Sequence, residues 1–184
     1  MIKIEKIQDK HLDMLQEFCL ECKKLGYINN SSLHAMKLLW CKNIGEYWCG
    51  IKDDKIIAVA GAHPLQEVAE DAWRILFRGC ELPQKDTFKG LGKGDWNSLT
   101  QREFIPIMIK HIPSNNLYLT TNIDNEHSNG KSQRNHRLMG LLAKQGILQD
   151  NGEIELYYTQ QKLWRLNIDE YTRRRERIKG RYVV

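Results

Sequence analysis

The sequence predicts a mixed α/β fold. Three features carry this expectation. Short runs of β-branched and aromatic residues alternate with longer segments whose apolar residues recur every three or four positions. Two of the strand-like runs are joined by the tight polar turn "KDDK", which indicates a hairpin. That early hairpin excludes a purely parallel, doubly wound sheet.

Taken in order, Ile2, Ile4 and Ile7 flank charged residues and read as a first strand over residues 2 to 7. Leu12, Leu15, Cys19 and Cys22 then mark a helix face that Phe18 and Leu25 widen, with Gly26 placed to stop it. "NNSSLHAMKLLWCK" offers Asn30, Ser31 or Ser32 as N-cap of a second helix. The strand-like runs "EYWCGI", "KIIAVAGA" and "AWRILFRGC" follow, and "ELPQKDTFKGLGKGDWN" reads as a glycine- and lysine-rich loop. Ser98 to Gln101 fits a capping box for a third helix, in which Pro106 must either bend the helix or move its start. "LYLTT" is a further strand, "SQRNHRLMGLLAKQ" a fourth helix stopped by Gly146, and "EIELYYTQQKLWRL" a closing hairpin. From Asp169 the chain is a charged helix or a flexible arm.

The 184 residues suit one domain of ordinary size, and 41% hydrophobic with 28% charged residues is the balance of a globular chain. No apolar run approaches the roughly 18 residues that cross a bilayer. The opening "MIKIEKIQDKHL" has no signal-peptide core, so a cytoplasmic location is expected. The five cysteines are an odd count, which argues against a disulfide framework. Cys19 and Cys22 form a C-x-x-C inside a helical pattern with no second pair at zinc spacing, so buried structural thiols are expected and no metal.

The net charge of +5 is concentrated. From Lys162 onward eight basic residues face three acidic ones, which accounts for all of it. Arg173, Arg174, Arg175, Arg177, Lys179 and Arg181 crowd the end, with Tyr171 and Tyr182 among them. Such a pattern suits phosphate contacts and base stacking on nucleic acid, contact with an acidic partner, or a solvated helix end.

Two loops have the chemistry of anion sites. "NIDNEHSNGKSQRNH", Asn122 to His136, lies between a strand and a helix. It lacks the first glycine of a nucleotide-binding P-loop, having Asn125 there before Gly130, Lys131 and Ser132. Too little chain follows for the further parallel strands and acidic magnesium partner of a P-loop domain. A helix start flanked by Lys131 and Arg134 still favours an anion, while an ordinary polar loop capped by Ser132 is the alternative. In "KGLGKG", Gly90, Gly92 and Gly94 let backbone amides approach a ligand, or simply make a flexible connection.

Taken together, residues 1 to 167 resemble the GNAT acyltransferases in element order. Two segments carry the resemblance. The helix "NHRLMGLLAKQGI" resembles the family's N-x-x-A-x-x-L-Y-x-K-x-G-F segment, with Asn135, Leu141, Lys144 and Gly146 at matching intervals. The loop Lys89 to Gly94 resembles the family's R/Q-x-x-G-x-G/A pyrophosphate loop, with Lys89 at its head and Gly92 and Gly94 as its glycines. Leu142 stands where many members have a tyrosine that protonates the leaving thiolate; Tyr118, Tyr157 and Tyr158 are the strand tyrosines available instead. The segments "FRGCELP", "TTNIDNEHS" and "LYYTQQKLWRLN" also resemble uncharacterised proteins of tailed phages with a GNAT-like fold.

The resemblance implies a mostly antiparallel twisted sheet of about seven strands flanked by four helices, over residues 1–167, followed by a basic C-terminal helix or arm over 168–184. It implies acetyl-CoA, or another acyl-CoA, as acyl donor and an amine on a small molecule or protein as acceptor. Its pantetheine arm would lie where the strands 73–79 and 117–121 part. Phe77, Arg78, Lys89, Gly90, Gly92, Gly94, Asn122 and Asn135 would bind the cofactor. Asn122, Asp124, Asn125, Glu126 and His127 would line the acceptor or cofactor mouth. Direct transfer needs a base for the ammonium proton, and Glu81, then Glu126 and His127, are the residues expected to supply it. A catalytically degenerate binding or assembly protein on the same fold is the alternative.

Overall fold

A computed structural model describes residues 2–24, 44–79, 103–123, 131–156 and 158–181. The described elements are β1 (Lys3–Lys6), α1 (Leu12–Lys24), β2 (Glu46–Lys52), β3 (Lys55–Pro64), β4 (Trp73–Gly79), α2 (Ile105–His111), β5 (Leu117–Asn122), α3 (Lys131–Lys144), β6 (Leu148–Leu156), β7 (Thr159–Leu166) and α4 (Ile168–Arg181). The seven strands form one sheet in the order β1-β2-β3-β4-β5-β7-β6. The β4–β5 ladder is parallel and the other ladders described below are antiparallel, so the expected mixed, mostly antiparallel architecture is present. The second helix, the Ser98 capping box and the glycine-rich loop expected from the sequence lie outside the described residues. No described helix is long and apolar enough to cross a membrane.

The chain divides into two compact units: Met1–Pro64 with Ile75–Pro113, and Leu65–Arg74 with Ser114–Val184. In the first, Asp53 and Asp54 both take positive φ, 50° and 56°, the conformation of the two-residue turn that suits the twist of a β2–β3 hairpin. Period-two alternation turns Tyr47 and Cys49 toward α1, where they meet Ile7, Leu15, Phe18, Ile56 and Val59. On the other face of β2, Trp48 lies 6.0 Å from the ring of His111. β3 is buried along most of its length, which explains why its sequence is a continuous apolar run rather than an alternating one. Pro106 stands in the first turn of α2, directly after a π-helical turn at Glu103 and Phe104. Cys19 is partly buried against this core and Cys49 is fully buried, while the Cys22 side chain lies outside the described residues. Burial pushes the Cys49 thiol up to about 11.

The second unit is built on β5 and the β6–β7 hairpin. Leu65, Ala72, Tyr118, Leu156 and Leu163 form its core on one face of the sheet. α3 ends as its sequence predicts. Gly146 has φ 76°, its N–H donates to the Ala143 carbonyl at 2.9 Å, and Ile147 N–H donates to the Leu142 carbonyl at 3.0 Å. That pair of bonds is a Schellman stop, and buried Leu142 and Ile147 are its apolar accompaniment. Asn167 caps α4, its Oδ1 accepting from Glu170 N–H at 3.1 Å. α4 is tied down: Tyr171 is buried, and Arg174 donates to the carbonyl and the side-chain oxygen of Gln145.

Candidate active site at the carboxyl end of β5

The β4–β5 ladder is short. Trp73 pairs with Leu117 and Arg74 with Tyr118, and among the described residues it carries no further pair, although β5 runs on to Asn122. β5 stays paired with β7 throughout, from Tyr118 opposite Arg165 to Asn122 opposite Gln161. Residues directly opposite share a face. Tyr118 and Thr120 therefore share one face with Arg165 and Leu163, and Leu119 and Thr121 share the other with Trp164 and Lys162.

On the first face, where the backbone ladder stops, side chains take over. Arg74 reaches past its ladder partner: Nε and Nη2 donate to Thr120 Oγ1 at 3.1 and 2.7 Å, and Nη2 donates to Gln161 Oε1 at 3.1 Å. Gln161 is itself held, its Nε2 donating to the Leu156 carbonyl at 3.3 Å and to Thr159 Oγ1 at 3.1 Å. The guanidinium fork thus fixes three strands with donors that the main chain does not supply here.

On the opposite face, the buried Trp164 Nε1–H donates to Thr121 Oγ1 at 2.9 Å. His136 of α3 places Nδ1 3.2 Å from the same oxygen, and its ring lies 5.6 Å from that of Trp164, tilted by 58°. The Lys162 ammonium sits 6.0 Å from the Trp164 ring and pairs with Asp150 at 2.8 Å. The Lys162 hydrogen bond, then the Gly152 N–H, hold the Asp150 carboxyl below its usual range.

The sequence-derived site residues are distributed as follows. Phe77 and Arg78 lie in the last part of β4, Asn122 ends β5 and Asn135 lies in α3 beside His136. Glu81, Lys89, Gly90, Gly92, Gly94, Glu126 and His127 lie outside the described residues. The two polar groups, Arg74 with Thr120 on one face and Thr121 with His136 and Trp164 on the other, were not among the residues the sequence singles out. Their signal is present nonetheless: two consecutive threonines end an otherwise apolar strand, so hydroxyls must occur on both faces, each needing a partner. Among the described residues no group of histidine, cysteine and carboxylate side chains is arranged to hold a metal.

No protein-family model matches the chain, and no curated protein matches it. Solved structures do. A ribosomal-protein-S5-alanine acetyltransferase from Vibrio fischeri is 13% identical, over 91% of this chain and 94% of its own, with a TM-score of 0.54. A protein of the GNAT family from Desulfovibrio desulfuricans is 8% identical, over 90% and 98%, with a TM-score of 0.59. A ribosomal L7/L12 α-N-protein acetyltransferase solved in complex with coenzyme A is 10% identical, over 89% and 92%, with a TM-score of 0.53. The class defined by this architecture is a mixed α/β fold with a parallel strand pair set in a mostly antiparallel sheet. More particularly, the chain has the fold of the GNAT acetyltransferases.

Proposed function

We propose that the protein transfers an acyl group from an acyl-coenzyme A to an amine. The observation that carries this reading is the two-pair β4–β5 ladder, which leaves the β4-side edge of β5 beyond Tyr118 without a strand partner among the described residues. A pantetheine arm has two amide groups and is close to an extended peptide in shape, so it can add to such an edge as a strand does. Leu119 to Asn122 fit this part of the donor. When bound, the donor supplies a thioester carbonyl open to attack by an amine.

The remaining assignments follow the sequence resemblance. Backbone amides of Gly90, Gly92 and Gly94, with the Lys89 charge, suit the pyrophosphate. By the same resemblance Phe77, Arg78, Asn122 and Asn135 are proposed as cofactor-binding residues. Glu81, Glu126 and His127 are candidates for the base that takes the ammonium proton. Acceptor amines on a protein N-terminus or on a small molecule are both compatible with this chemistry.

Thermal denaturation with acetyl-CoA tests the reading. A donor present at about a hundred times its dissociation constant adds roughly 2.7 kcal/mol to stability. No shift with acetyl-, propionyl- or succinyl-CoA contradicts it. A shift without transfer to any amine favours the second reading, a binding protein on this fold. Leu142 supports that second reading, because it is fully buried and leaves no hydroxyl at the position where many relatives have a tyrosine.

A further inference from the structure

We propose that His136 is the proton acceptor for the attacking amine, held in place by Thr121 and Trp164; this rests on the acyl-transfer reading. Three observations lead to it. First, position: His136 stands over Thr121, the penultimate residue of β5, and β5 belongs to the parallel pair in the sheet. In open α/β sheets ligands gather at the carboxyl ends of parallel strands.

Second, the imidazole is anchored at one nitrogen only. Nδ1 meets Thr121 Oγ1, whereas Nε2 has no partner among the described residues, and the half-buried ring is open to solvent on part of its surface. A histidine kept only for packing has no need of one fixed nitrogen and one unengaged one.

Third, the partner is a hydroxyl already fastened from behind. Trp164 Nε1–H can only donate, so it occupies one lone pair of Thr121 Oγ1 and fixes that oxygen. The hydroxyl retains a hydrogen to donate and a second lone pair with which to accept. It can therefore hold the imidazole both neutral and protonated, as a group that gains and loses a proton requires. Among the described residues Lys162 of β7 pairs with Asp150 of β6, and His136 has no salt-bridge partner.

In the step, the amine nitrogen forms a bond to the thioester carbonyl carbon and the carbon–sulfur bond breaks. The sulfur leaves with the electron pair and takes a proton from solvent. The excess proton on nitrogen passes to His136 Nε2 while Thr121 Oγ1 accepts from Nδ1–H.

Turnover of acetyl-CoA by the full chain, with spermidine and a peptide bearing a free N-terminal alanine as probe amines, tests the proposal. His136→Gln and His136→Ala are expected to lower kcat on the order of 100-fold, with the KM for acetyl-CoA unchanged. Added imidazole is expected to restore part of the turnover of His136→Ala, which a purely structural role would not allow. Wild-type kcat in both variants overturns the proposal and leaves the acyl-transfer reading standing. So does a loss that imidazole fails to relieve and that accompanies a fall in the melting temperature. A wild-type protein that turns over acetyl-CoA with neither amine overturns the proposal, and acetyl-CoA binding by that protein then separates the two failures.

Discussion

Tyr47 lies directly across the β2–β3 ladder from Gly61, and its ring occupies the place where a side chain on residue 61 would stand. A Cβ there would also come within 2.5 Å of the Glu46 carbonyl oxygen, so both a buried ring and a main-chain atom would have to move. Gly61→Ala is therefore expected to destabilise the protein by about 1–3 kcal/mol, the range for overpacking a filled core. Urea denaturation checks this. Tyr47→Ala opens space beside residue 61, so the double variant is expected to lose less than the sum of the two single losses.

Glu5 gathers the ammonium groups of Lys10 and Lys3 and lies 3.2 Å from Nε2 of the buried His11. Hydrogen bonds from Lys10, then Lys3, lower its carboxyl from 4.5 to about 2. A folded-state value below the unfolded one gives stability that is fully present above about pH 4.5 and is lost as pH falls toward 2. Glu5→Gln is expected to flatten this part of the acid-denaturation curve and to leave its shape above pH 5 unchanged. Melting temperatures measured from pH 2 to pH 7 decide the matter; an unaltered acid limb in the variant counts against this role for Glu5.

The basic C-terminal segment contributes to the fold through Arg174. Its Nη2 donates to the Gln145 carbonyl at 2.6 Å, at the end of α3 where helical carbonyls lack partners, and its Nε donates to Glu170 at 2.6 Å. Arg173 also grips Glu170 with two bonds, of 2.8 and 2.7 Å. Arg174→Ala is expected to cost about 1–2 kcal/mol and Arg173→Ala, on the exposed side, under about 1 kcal/mol. Equal losses from the two variants in chemical denaturation would contradict the distinction. The two arginines that bind Glu170 are thus partly engaged within the protein.

Much of the fold is legible in the sequence because its signals are local. The two aspartates of the β2–β3 turn, Gly146 after α3, and the alternation of Tyr47 and Cys49 each depend on neighbours along the chain. The strands expected at 73–79 and 117–121 are present for the same reason, the second one residue longer than expected. What pattern alone does not reveal is pairing over long separations. Arg74 and Thr120 are 46 residues apart and Thr121 and Trp164 are 43 apart, so their hydrogen bonds follow from strand order rather than from spacing. His136 illustrates the difference. The sequence places it at the end of a conspicuous polar stretch, yet its position above Thr121 is not readable from that stretch.

The edge of β5 beyond Tyr118 is the proposed seat of the pantetheine arm of an acyl-coenzyme A. Amide hydrogen exchange with and without coenzyme A tests this. In Leu119–Asn122 alternate amides serve the β7 ladder, and the others face the β4 side. Coenzyme A is expected to slow exchange at those other amides, with the β7-facing ones already protected in its absence. Exchange at 119–122 unchanged by saturating coenzyme A would contradict the claim.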